Sequence, residues 1–217
     1  MFKGLFGNKE SATRELKTAN DLLPGDIVSF KERLSLPKDI QGQQFELTEI
    51  AGYYYSDGIV PELTLRNADN QTYFLSPDDN DGDPELLLSR KLSREQVAQI
   101  FDEDEFSKLF EQESFPCLKV KTVPPELEGW LNDNYQQEEK SVEAYYYQRN
   151  CITNPPSDYD DDDNEDDDGE ELRYHECEAA DDNYFLTVEI WDDGSTDVII
   201  GICCTEEVIE HYWPKND

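Results

Sequence analysis

Apolar and polar residues alternate with a period of two along much of this chain, and the alternation predicts strands. Phe45-Glu46-Leu47-Thr48-Glu49-Ile50 sets every second side chain to one face, and Tyr53-Tyr54-Tyr55 carries the segment to a turn at Ser56-Asp57-Gly58. Leu22-Leu23-Pro24-Gly25-Asp26 reads as a turn before the short strand Ile27-Val28-Ser29-Phe30. Glu62-Leu63-Thr64-Leu65-Arg66 and Gln71-Thr72-Tyr73-Phe74-Leu75 flank Asn67-Ala68-Asp69-Asn70, so these segments form an antiparallel meander. The clearest hairpin lies further on, where Tyr184–Trp191 and Thr196–Cys204 enclose Asp192-Asp193-Gly194-Ser195.

The period lengthens after the acidic loop 78–84. Ser93 is placed to cap a helix with Val97, Ile100 and Phe101 on one face, and Glu105–Glu111 offers a second turn with Phe106, Leu109 and Phe110. Beyond Pro116, Leu118–Lys121 reads as a strand and Leu127–Leu131 as a short helix or turn, while Val142–Tyr147 fits strand or helix. Thr205 is expected to cap a C-terminal helix ending before Pro214. The fold class is therefore α+β and β-rich, with antiparallel meanders each followed by a short helix, and the repetition suggests two similar halves. The expected organisation is a mobile amphipathic head over 1–20, a meander with helices over 21–115, and a second β-rich half over 116–217 that contains an acidic disordered loop at 157–171.

Composition separates a folded body from a disordered one. The net charge of −34 suggests disorder, but 12 Tyr, 10 Phe and 3 Trp offset chain entropy only when buried together. The charge is unevenly spread: residues 1–38 net +2, 39–149 net −15 and 150–217 net −21. Direct binding to nucleic acid needs clustered Lys/Arg to neutralise phosphates, and the acidic body lacks them. Five cysteines without repeating spacing, and no apolar signal segment, predict a reduced cytoplasmic setting. The longest apolar run, Val198–Cys204, is strand-sized and far short of a membrane span.

Candidate chemistry is sparse. Aligning Gly169 with the sixth position of a calcium loop places Asn164, Asp166 and Asp168 at ligand positions, but His175 falls where a bidentate Glu is required. His175, Cys177, Cys203, Cys204 and His211 are zinc-ligand types without a C-x-x-C chelate, and they read as structural residues. No nucleophile motif, phosphate loop or distinguishable carboxylate pair stands out, so no catalytic residue, metal or cofactor is expected. Two features point to binding instead. In the head, Phe2, Leu5 and Phe6 have helical spacing beside Lys3 and Lys9, which would give weak peripheral contact with a membrane or a partner. In the body, Tyr53, Tyr54, Tyr55 and Tyr145, Tyr146, Tyr147 form two triplets, and strand alternation turns at least one ring of each outward as a candidate interface unless a second layer covers it.

The tip Phe2-Lys3-Gly4-Leu5-Phe6-Gly7, with Leu23–Val28, Phe45–Ile50, Tyr73-Phe74-Leu75 and Leu88-Ser89-Arg90-Lys91-Leu92, resembles an uncharacterised hydrophilic bacterial family encoded near phage-shock and membrane-stress genes. The resemblance covers the first half of the chain and brings no catalytic residue. It implies an accessory protein of the bacterial cytoplasm close to the inner membrane. Sequence thus leads to a non-catalytic acidic adaptor for a basic protein surface. The alternatives are a nucleic-acid mimic that blocks a DNA-binding protein, and an enzyme of unknown reaction.

Overall fold

Strands β1 (Ile27–Phe30) and β2 (Gln44–Tyr55) form where the sequence alternates, and β2 shows how the chain switches faces. Phe45 and Leu47 point to one side, but a bulge between Leu47 and Glu49 inserts one residue into the pairing with β3 (Gly58–Arg66). Because side chains alternate with period two, that single insertion sends Ala51, Tyr53 and Tyr55 to the opposite face. The first meander continues through β4 (Thr72–Asp78) and β5 (Glu85–Lys91). The second comprises β6 (Cys117–Lys119), β7 (Asn134–Tyr147), β8 (Glu170–Glu178), β9 (Tyr184–Trp191) and β10 (Thr196–Thr205), with β11 (Ile209–Trp213) closing the chain. The computed structural model describes residues 14–56, 58–78, 85–156, 169–181 and 183–215.

All strand pairs are antiparallel, and the order β11-β1-β2-β3-β4-β5-β10-β9-β8-β7-β6 reads nearly the same from either end. A further pairing of β2 with β7, through Gly52↔Tyr147, Tyr53↔Tyr146 and Tyr54↔Tyr145, closes eight strands into a ring. Residues 21–115 and 116–217 therefore share one sheet, joined at β5–β10 and at β2–β7. The halves match in detail. Val28 pairs with Phe45 as Leu118 pairs with Tyr135, and the β3–β4 and β8–β9 connections each span five residues. The corresponding connections 31–43 and 120–133 meet each other, with Lys38 Nζ 3.1 Å from Glu128 Oε2.

Outside the ring, Phe45, Leu47, Leu65, Leu75, Leu88, Leu186 and Ile200 lie under covering segments and form one large core. Trp130 stacks on Tyr73 at 5.9 Å, and Phe101 packs edge-on against Tyr135. Asp39 fixes this cover by accepting from Trp130 Nε1 at 2.8 Å, Tyr73 Oη at 2.7 Å and Arg90 at 3.0 Å. α1 (Arg94–Ile100) begins at Ser93, whose side chain and that of Gln96 cap each other's backbone N–H groups. α2 (Glu103–Ser107) follows from the Asp102 cap.

Strands make up 48% of the described residues and helices 13%, which makes the protein predominantly β. The helix expected after Thr205 is only a 3-10 turn, Glu206–Val208, before β11. Its sequence explains this. Ile209, Tyr212 and Trp213 favour a strand, and the open edge of β1 supplies the hydrogen-bonding partner. Val142–Tyr147 is strand, and Glu170 and Glu171, placed by sequence in the acidic loop, open β8. The remainder of that loop, 157–168, lies outside the described residues, as do Phe2, Lys3, Leu5, Phe6 and Lys9. Within the stretch read as a head, Leu16 packs on the core and Ala19 is fully buried. Among the described residues no helix is long and apolar enough to cross a membrane.

Candidate functional site on the inner face of the ring

The two tyrosine triplets meet across the seam that closes the ring, and strand alternation divides them between its faces. Tyr53, Tyr55 and Tyr146 share one face, with the Tyr53 and Tyr146 rings 5.1 Å apart and those of Tyr53 and Tyr55 5.8 Å apart. Tyr54, Tyr145 and Tyr147 take the other. Tyr147 lies opposite Gly52, where a Cβ would come within 2.9 Å of Cys151. The structure makes the residues of the two triplets partners of one another within the chain. Tyr53 and Tyr147 are buried, while Tyr54, Tyr55, Tyr145 and Tyr146 are half-buried.

The face carrying Tyr53 is the concave one. Tyr53 on β2 and Glu189 on β9 have two strands between them in the ring, a span of about 14 Å along the sheet at normal strand spacing. Their side chains nevertheless interact across the ring, Glu189 raising the pKa of Tyr53, which only inward-pointing groups can do. Tyr55 packs edge-on against Tyr174 at 5.4 Å, and Tyr146 against Trp191 at 5.6 Å. Lys91 donates to Asp197 at 2.6 Å and stands 6.0 Å from the Trp191 ring centre, while Trp191 Nε1 donates to the same Asp197 oxygen at 3.2 Å.

Three carboxyls on this face are held far above their ordinary range. Glu62 on β3 is 7% exposed, and burial, followed by repulsion from Glu189, pushes its pKa up to about 8. Glu189 is 3% exposed and burial lifts it to about 7, opposed by the Tyr53 hydroxyl and by Lys91. Glu176 reaches about 7 through burial and then through Glu178 and Glu139. Glu189 Oε2 is buried with no hydrogen-bond partner among the described residues. Glu62 and Glu189 escape sequence reading because they occupy the polar positions of alternating strands, which look solvent-facing until the sheet closes.

The metal and nucleophile candidates separate. His175 and Cys177 share the outer face of β8, where the Gln137 amide lies 3.1 Å from His175 Nδ1 and the Phe110 ring packs edge-on at 5.2 Å. Burial, then Lys140, lowers the His175 pKa. Burial raises the thiols of Cys177 and Cys204 to about 12, the opposite of what a reactive thiolate needs. Among the described residues no three His, Cys, Asp or Glu side chains are grouped to hold a metal. Cys117 is exposed rather than part of the core. A groove of about 530 Å³ on the outer side is lined by Val97, Phe106 and Phe110. Compared with family models, curated proteins and solved structures, the chain matches none.

Proposed function

We propose that the protein is a non-catalytic adaptor whose acidic surface engages a basic protein partner in the bacterial cytoplasm, close to the inner membrane and linked to the membrane-stress response. The observation that carries this reading is acid fixed on rigid strands without matching cations. Exposed Glu138, Glu139 and Glu143 on β7 lie beside Glu170, Glu171 and Glu178 on β8; the cations on these strands are Arg173, opposite Glu143, and Lys140, which donates to the Glu111 and Ser114 carbonyls. Elsewhere, eight ion pairs among the described residues each occupy a different Lys or Arg. A field of one sign accelerates encounter with a basic surface and weakens as salt rises. The acidic body repels anionic lipid, so membrane approach falls to residues 1–9.

The same strand-borne carboxylates support a second reading, in which they occupy the phosphate-binding surface of a DNA-binding protein. A pull-down with the full chain and with a version lacking residues 1–13, washed at low and high salt, separates the two. Inner-membrane or stress proteins that are captured at low salt and lost with the head support the adaptor. DNA-binding proteins retained without the head and displaced by DNA overturn it in favour of mimicry.

A further inference from the structure

The inner face of the ring has an imbalance that its own side chains leave uncorrected. Glu62 and Glu189 approach each other from β3 and β9, while the adjacent cation, Lys91, is committed to Asp197 at 2.6 Å. Glu189 Oε2 accepts no hydrogen bond among the described residues although Glu189 is 97% buried by its 3% exposure. A buried acceptor without a donor is costly, and a buried carboxylate without a cation more so. Beside it, half-buried Tyr55, Tyr146, Tyr174 and Trp191 bring aromatic faces and edges to the same side of the sheet. Such faces attract cations through the ring quadrupole, and Lys91 Nζ already lies 5.6 Å from Phe74 and 6.0 Å from Trp191.

We propose that this face binds an alkylammonium group, seated against the rings of Tyr55, Tyr146 and Trp191 with an N–H directed at Glu189 Oε2. The orphan oxygen selects the kind of cation. An ion bearing N–H satisfies it, a quaternary ammonium does not, and a metal ion would meet aromatic walls in place of further oxygen ligands. The chemistry is shared by free amines and lysine side chains. The inference stands on the inner face alone and is independent of the adaptor reading.

Binding also moves protons. The groups facing Glu62 and Glu189 are Glu49, Tyr53 and Tyr55 on β2, Lys91 on β5, Tyr146 on β7, Tyr174 on β8 and Asp197 on β10. With Glu62 and Glu189 titrating at about 8 and about 7, this face is partly protonated at neutral pH. An incoming ammonium favours the carboxylates, releases protons, and so binds more weakly as pH falls below about 7.

The test is calorimetric titration of the full chain at pH 7.5 and constant ionic strength with n-butylammonium and, separately, tetramethylammonium. Saturable n-butylammonium binding, at least about tenfold tighter than tetramethylammonium and weakened about tenfold by Glu189→Gln, is the expected result. The wild-type chain provides a check that needs no variant, because the binding heat should depend on the buffer's ionisation enthalpy as protons are released. Displacement by a lysine peptide but not by its acetylated form assigns a side-chain source, and displacement by 1,4-diaminobutane but not by the peptide assigns a free amine. No saturable binding, equal binding of the two ions, or a folded Glu189→Gln protein with unchanged affinity would overturn the proposal.

Discussion

The two faces of one sheet follow opposite rules. Outside the ring, Leu65, Leu75, Leu88, Leu186 and Ile200 form a dry core under Trp130 and Phe101, and the polar groups of the cover converge on Asp39. Inside, the same strands present Glu62, Glu189 and Glu176 among tyrosines; among the described residues Glu189 Oε2 lacks a hydrogen-bond partner there, as Arg90 Nε and Gln137 Oε1 do on the outer side. The outer face stabilises the fold. On the inner face, burial of carboxyls costs stability that apolar side chains in their place would not.

The largest effect expected from this contrast is Trp130→Ala, which opens a cavity against Tyr73 and removes the indole donor to Asp39. It should cost about 3–5 kcal/mol in urea denaturation, and a loss below about 1 kcal/mol would mean that the cover is not part of the core. Gly201→Ala probes the inner face by volume. A Cβ there would overlap the Phe185 ring, so a loss of about 1–3 kcal/mol is expected.

Charge on the inner face should act in the opposite direction. Because burial raises Glu62 to about 8 and Glu189 and Glu176 to about 7, the folded chain holds protons that the unfolded chain has released above its ordinary carboxyl range of 4.5. Stability from this source is complete below that range and is lost as pH rises to about 8. Glu62→Gln should flatten the fall and add on the order of 1–2 kcal/mol at pH 8, read from denaturation midpoints across pH. A flat wild-type profile would place these carboxyls in water. The smallest change expected is Cys117→Ser at the exposed edge strand β6, within about 0.5 kcal/mol of wild type.

How far sequence reaches is seen in particular elements. β2, β4, the β9–β10 hairpin and the Ser93 cap were legible because each is written in local alternation, turn chemistry or capping. β11 was misread as helix because what decides it is the open edge of β1, some 180 residues earlier in the chain. β8 was concealed by the acid preceding it. The tyrosine triplets could be found as unusual, yet their mutual pairing depends on ring closure and on the bulge at Leu47–Glu49. Glu62 and Glu189 give no local signal, since an inward carboxylate and a solvated one occupy the same place in an alternating strand.

Asp26, fully buried in the turn before β1, accepts from Leu23 N at 2.7 Å and Lys215 N at 2.8 Å and pairs with Arg14. One carboxylate thus fastens both ends of the described chain at a single point. A circular permutant that joins these ends through a short linker and opens the chain in the 67–71 connection should keep every strand pair of the ring. Anything joined at Arg14 or at Lys215 would leave the body from the same place.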